Sequence, residues 1–169
     1  MWAAVTALVA EIKACEKAGA TISGVAMAYV CIDTMAFLSL PVGQESQEGA
    51  DFISWVDTYM KGHAKQPYQY RGVDVYGARC AVLHAFSAEA AFHQRYPDAK
   101  KFVYHNGGEH VYDPAVNDHL VIIGTASLLN DVVLAVDAFL EQCKSNADLR
   151  QRVEARLPRV LATLPYPAE

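Results

Sequence analysis

The sequence has no uninterrupted hydrophobic run long enough to cross a membrane. Its longest apolar stretch, Leu120–Leu129, has about half the length that a membrane-spanning helix needs and ends at polar residues. The apolar first ten residues lack a basic segment and run into Glu11 and Lys13, which indicates an amphipathic helix and not a signal peptide. We therefore expect a cytoplasmic protein with no membrane contact.

An excess of positive charge is also missing. The net charge is −5, which argues against a protein that coats nucleic acid but still permits a local basic groove. The chain has no phosphate-binding loop, no dinucleotide-binding glycine fingerprint and no His-Glu-x-x-His zinc helix. Its loop histidines lack the tight spacing of metal ligands. We expect no cofactor and no metal.

Cysteine is sparse, and no two cysteines form a Cys-x-x-Cys pair. The four cysteines lie far apart in apparent helices, at Cys15, Cys31, Cys80 and Cys143. Reduced thiols in the core of a cytosolic protein are favoured over disulfides.

What is present is typical of a globular domain. The 169 residues are 53% apolar and 20% charged, which predicts one domain over residues 1–169 with a substantial core. The apolar spacing predicts a mainly all-α fold, a bundle of about five to six helices. The predicted helices are 2–18, 22–39, 50–61, 73–91, 117–144 and 148–161.

One short β-hairpin is predicted between the helices, near residues 100–112. Lys101–His105 reads as a strand, and the segment 109–112 reads as its partner. The Asn106-Gly107-Gly108 sequence between them favours a tight turn, because asparagine and glycine tolerate positive φ.

The stretch 73–91 is the most informative part of the chain. It predicts a buried helix, yet it contains Arg79 and His84 among apolar residues, and a buried guanidinium needs a partner. Because the two residues are five positions apart on a helix, their side chains leave on different faces, but the long arginine can bend toward the imidazole. Such a pair suits phosphodiester cleavage, since histidine can transfer a proton and a guanidinium can hold phosphoryl oxygens.

Asp33 is the partner that we predict for Arg79. It lies between Ile32 and Met35 in the apolar centre of the helix 22–39, and a buried carboxylate needs a cation or several donors. The alternative, that Asp33 faces solvent, stays open at this point.

The sequence Arg79-Cys80-Ala81-Val82-Leu83-His84 resembles the Arg-x4-6-His motif of the HEPN superfamily. The surrounding segment from Val75 and the Ile32-Asp33 pair are also similar to members of this group, and the resemblance covers residues 1 to about 145. It implies a small all-α domain, and many such domains are metal-independent endoribonucleases. Active members usually have Asn, Asp or His after the arginine, whereas this chain has Cys80.

The resemblance implies a toxin or phage-defence ribonuclease with Arg79 and His84 as catalytic residues. Two copies of the motif would meet across a homodimer cleft, RNA or a nucleotide would be the ligand, and an antitoxin protein would be a further partner. Cleavage would leave a cyclic 2′,3′-phosphate. Four residues are candidate substrate contacts: Tyr76, Lys101, His105 and His110. For the two histidines, an ordinary place in a loop without a substrate contact is the favoured interpretation.

A second function remains open beside the enzyme. The same scaffold could be a non-catalytic helical module that binds a nucleotide or a protein, with Arg79 held in a structural pair with Asp33. Cys80 and the acidic net charge favour the module, whereas the pair Arg79 and His84 favours the enzyme.

Overall fold

The computed structural model describes residues 2–161, so residue 1 and residues 162–169 of the predicted domain lie outside it. The described part is mainly helical, as predicted. Six helices have ten residues or more, and two others, α5 and α6, are single turns. The elements are α1 (Ala3–Lys17), α2 (Thr21–Ser39), α3 (Gly49–Tyr59), α4 (Gly72–Ala85), α5 (Ala91–Arg95), β1 (Lys101–His105), α6 (Pro114–Asn117), β2 (Leu120–Gly124), α7 (Thr125–Ser145) and α8 (Ala147–Arg156).

Helix α2 is the central element of the fold. It packs against α1, α3, α4, α7 and α8, and its side chains Tyr29, Ile32 and Met35 are fully buried. By length and composition α2 is apolar enough to span a membrane, and half of its most apolar stretch is buried inside the fold. That burial fits the core helix of a soluble protein.

The strand prediction was right for Lys101–His105 and wrong for its partner. Strand β1 pairs in parallel with β2, from Lys101 opposite Leu120 to His105 opposite Gly124. The segment 109–112 does not pair with β1. It reaches only the other edge of β2, through an antiparallel bridge between Val111 and Ile122.

The turn residues explain why no hairpin forms. Neither Gly107 nor Gly108 adopts positive φ, which a tight hairpin turn requires. Instead the Gly107 carbonyl accepts a hydrogen bond from Ala126 N at 3.2 Å, at the start of α7. A Cβ on Gly124 would lie 2.7 Å from the Gly108 backbone, so this loop packs directly on the end of β2.

Two predicted helices are shorter than expected. The helix predicted from residue 117 begins only at Thr125, because the β-branched run before it forms β2. The helix predicted to reach Ala91 ends at Ala85, where Phe86 adopts the left-handed conformation with φ 47° and redirects the chain. Residues 86–90 therefore form a loop beside the end of α4.

Two arginines of α8 donate hydrogen bonds to the end of α2 and to the segment that follows it. The buried Arg156 donates through Nη2 to the carbonyl oxygens of Pro41 at 2.7 Å and Gln44 at 3.0 Å. Arg152 donates through Nη1 to Ser39 O at 3.2 Å. These hydrogen bonds close the bundle around α2.

Candidate functional site

The predicted ion pair between Arg79 and Asp33 is present and joins α4 to α2. Arg79 Nε donates to Asp33 Oδ2 at 2.8 Å, and the two side chains are 22% and 23% exposed. Gln47 Nε2 donates to Asp33 Oδ1 at 3.2 Å. The pair is thus open to solvent on one side, and the guanidinium is held in a fixed orientation.

Burial and pairing act on both groups of this ion pair. Partial burial raises the pKa of Asp33 above its ordinary value, and hydrogen bonds from Arg79 and Gln47 offset only part of that effect. Partial burial opposes the charge on Arg79, but the hydrogen bond and the charge of Asp33 outweigh it, so the pKa of Arg79 is raised. Arg79 is therefore a permanent cation.

Arg79 also reaches His84, as the five-residue spacing predicts. Its Nη1 lies 3.2 Å from His84 Nε2, and His84 is exposed in the last turn of α4. Because arginine can only donate, a hydrogen bond in this contact requires Nε2 as the acceptor, which is the tautomer with its proton on Nδ1. His84 Nε2 thus faces a cation.

Two pockets flank this pair of side chains. The Arg79 pocket, about 390 Å³, is lined by Asp33, Gln47 and Arg79 among others. The His84 pocket, about 670 Å³, lies between the end of α4, the loop 86–90 and α5. Both volumes fall in the range of small-molecule sites, so the pair borders space for a ligand on each side.

Tyr76 lines both pockets and so marks the boundary between them. Its ring packs against Phe52 at 5.4 Å and against Phe92 at 5.1 Å between centroids. Burial, with the neighbouring Cys80 sulfur, raises the pKa of the Tyr76 hydroxyl. A Cβ on Gly49 would lie 2.8 Å from the Tyr76 ring, so glycine provides the space that this ring occupies. Tyr76 therefore lies beside both pockets, and its role as a substrate contact stays a prediction.

Lys101 borders the site indirectly. Its Nζ lies 2.7 Å from Oε2 of Glu89, and Glu89 lines the His84 pocket. The lysine at the start of β1 therefore holds a side chain of the loop 86–90 in place.

The two histidines that were candidate substrate contacts lie elsewhere. His110 is 3% exposed, its Nε2 lies 2.9 Å from the Tyr70 hydroxyl, and its Nδ1 accepts from Gly124 N at 3.1 Å. His105 uses both ring nitrogens on its own loop, with Gly107 N and Glu109 O. Neither lines the two pockets, so the structure gives both histidines local structural partners instead of a place in the groove.

The four cysteines are unpaired, as expected. Cys31 and Cys143 are buried, whereas Cys80 is partly exposed and lines the His84 pocket four residues before His84. Within residues 2–161, no three His, Cys, Asp or Glu side chains come together in an arrangement that could hold a metal ion.

The residues of the His84 pocket that were not anticipated include Glu89, Phe92 and Arg95. The apolar spacing predicts that α4 continues through Ala91, because no glycine or proline marks its earlier end at Ala85. A helix there gives Glu89 no predicted role. The short α5 after it had no helical repeat to reveal it.

Comparisons with protein-family models, with curated proteins and with solved structures found no match.

Proposed function

We propose that this chain is a HEPN-type, metal-independent endoribonuclease of the cytoplasm, and that Arg79 and His84 carry out the cleavage. The observation that supports this most directly is the contact between Arg79 Nη1 and His84 Nε2 at 3.2 Å, at a groove formed by the two neighbouring pockets that these side chains line. The site thus combines a fixed cation with a histidine that can accept a proton.

In the proposed reaction, Arg79 Nη1 turns from His84 Nε2 to the phosphate, and Nε2 then takes the proton of a ribose 2′-hydroxyl. The 2′-oxygen forms a bond to phosphorus, the bond to the 5′-oxygen breaks, and that oxygen receives a proton from water. The products are a 2′,3′-cyclic phosphate and a 5′-hydroxyl. Arg79 holds the non-bridging oxygens, where negative charge increases in the transition state. Asp33 keeps the guanidinium directed into the groove.

We also propose a homodimer in which two copies of the groove face each other. Apolar side chains are exposed on the two helices that hold the site, with Ile22 on α2 at 65% exposure and Phe86 just after α4 at 76%. Both line one apolar pocket, so they form a continuous surface. An antitoxin protein that covers the groove would be the natural inhibitor of such an enzyme.

The test is cleavage of a labelled single-stranded RNA in excess chelator. We expect cleavage by the wild type and at least a hundredfold loss in Arg79→Ala and in His84→Ala. His119→Ala, which removes an exposed histidine outside the groove, is the matched control and should cleave normally. Folding of each variant is checked by circular dichroism. Cleavage that is unchanged in both groove variants would exclude this mechanism.

The second candidate is the non-catalytic helical module that binds a nucleotide or a protein. The Arg79–Asp33 ion pair favours it, because an arginine held within its own subunit can serve stability alone. In that case the wild type cleaves no RNA, whereas Asp33→Ala and Arg79→Ala each lower the melting temperature. Calorimetric titration with a nucleotide then tests binding directly.

A further inference from the structure

The His84 pocket contains groups that the cleavage reaction itself does not use. His84 stands in its wall, so a nucleoside bound there would belong to the nucleotide whose phosphate meets Arg79 and His84. Its volume of about 670 Å³ accommodates a nucleobase with its ribose. The question is which base its polar groups would select.

Glu89, an anionic acceptor, and Arg95, a cationic donor, lie on the wall of this pocket. Glu89 comes from the loop after α4, and Lys101 binds its Oε2 at 2.7 Å. This ion pair lowers the pKa of Glu89, so the carboxylate stays ionised and Oε1 remains able to accept. Arg95, at the end of α5, is exposed and has no hydrogen bond or ion pair with any residue in the described range 2–161.

Aromatic rings complete the wall. The rings of Tyr76 and Phe92 line the pocket, and Phe92 approaches α4 at Gly77, where a Cβ would lie 3.0 Å from Phe92 Cδ1. Aromatic walls suit single-stranded RNA, whose unstacked bases bind by contact with rings. The pocket therefore offers an apolar wall with one acceptor and one donor at its edge.

We propose that the His84 pocket binds guanine and makes the enzyme cleave RNA next to guanosine. Guanine presents two adjacent donors, N1–H and the N2 amino group, which the two oxygens of Glu89 can accept together, because Oε2 keeps a second lone pair beside Lys101. Its O6 and N7 are acceptors that an arginine binds as a pair. Adenine, cytosine and uracil each lack the adjacent pair of donors. Glu89 is thus assigned to the donor edge and Arg95 to O6 and N7.

This proposal rests on the proposed ribonuclease function, and the experiment separates the two. The substrates are 2′-O-methyl oligonucleotides with a single ribonucleotide, so that only one bond can be cleaved. The base is varied independently at the ribonucleotide and at the residue after it, with inosine included because it lacks the N2 amino group. We expect guanosine at one of these positions to be cleaved about tenfold or more faster than the other bases, with inosine in between.

The variants Glu89→Gln and Arg95→Ala should each reduce this preference at least several-fold, while slow cleavage at other bases persists. Glu141→Gln removes an exposed carboxylate on α7, away from the pocket, and should keep the preference. Equal cleavage at all bases, or a preference that survives both variants, would overturn the assignment of the pocket.

If no substrate is cleaved, the ribonuclease proposal fails and the pocket is tested by binding. Titration calorimetry with GMP, AMP, CMP and UMP should then show tighter binding of GMP that is weakened by Glu89→Gln. Equal or absent binding of the four nucleotides would overturn the pocket proposal as well.

Discussion

At the scale of single residues, the charged groups of this chain differ sharply in environment. Asp33 and Arg79 are partly open to solvent, whereas Asp74 is fully buried. Asp74 accepts four hydrogen bonds, from the Tyr68 hydroxyl, from Nε and Nη2 of Arg71 and from Lys100 N. This carboxylate links the loop before α4 to the residues before β1, which fits a role in stability.

We expect Asp74→Ala to lower the free energy of unfolding by roughly 2–5 kcal/mol, because it leaves two buried donors, the Tyr68 hydroxyl and the Lys100 N–H, without their acceptor. Chemical denaturation monitored by circular dichroism measures the change. Glu141→Ala is the control, since both side chains of its ion pair with Lys144 are exposed and its loss should matter far less. Equal effects of the two substitutions would contradict this ranking.

Asp33→Asn tests the orientation of Arg79. The amide keeps the shape of the side chain but loses the charge that holds the guanidinium. We expect the cleavage rate to fall up to about 100-fold, as misplaced catalytic groups commonly cause, while the protein stays folded. Single-turnover kinetics measure this loss. A rate equal to that of the wild type would mean that Asp33 does not position Arg79 for cleavage.

His110 gives a prediction for the pH dependence of stability. Burial, with the nearby charge of His105, lowers the pKa of His110 to about 4, below its ordinary value of 6.5. The unfolded chain therefore binds a proton that the folded chain does not. The stability that the neutral His110 ring contributes is complete above about pH 6.5 and is lost as the pH falls toward 4, a decrease of at most about 3 kcal/mol in the free energy of unfolding.

Urea denaturation at a series of pH values measures this slope. The slope between pH 6.5 and pH 4 should become shallower in His110→Gln, which is also less stable at neutral pH because the bonds to Tyr70 and Gly124 change. His119→Gln, at an exposed site, should keep the slope of the wild type. An unchanged slope in the His110 variant would assign the pH dependence to other groups.

At the scale of elements, the spacing of apolar residues predicted the helices well. It failed where a strand and a helix share one apolar run. The run 120–129 contains β2 and the first turn of α7, and hydrophobicity alone cannot divide it. The parallel pairing of β1 with β2 depends on contacts distant in sequence, which no local pattern contains. Arg79 and Asp33 were predictable because a buried charge requires a partner.

The approach of α3 to α4 depends on Gly72. A Cβ at this residue would lie 2.4 Å from the Ile53 carbonyl oxygen, a backbone atom that cannot turn away. We expect Gly72→Ala to destabilise the protein by about 1–3 kcal/mol, as overpacking usually does. Thermal unfolding measures this loss of stability. Gly62→Ala, where the nearest atom is a side-chain oxygen of Gln69 at 3.3 Å, should have a small effect. Comparable losses at the two glycines would contradict this explanation.

At the scale of the whole molecule, the proposed site and the exposed apolar surface lie on the same two helices. Ile22 and Phe86 are exposed near the ends of α2 and α4. We expect the wild type to sediment as a dimer and Ile22→Glu to sediment as a monomer with lower cleavage activity. Leu134→Glu, on the exposed side of α7, should remain dimeric. A wild-type monomer at micromolar concentration would exclude the proposed dimer.

The central position of α2 has a consequence for how the chain is made. The ribosome completes this apolar helix before it makes α7 and α8, which cover part of it. Until then a nascent chain presents an uncovered apolar helix of membrane-spanning length. During this interval of synthesis, α2 can bind a chaperone, aggregate or insert into a membrane. The interval ends when α7 and α8 have been made and cover α2.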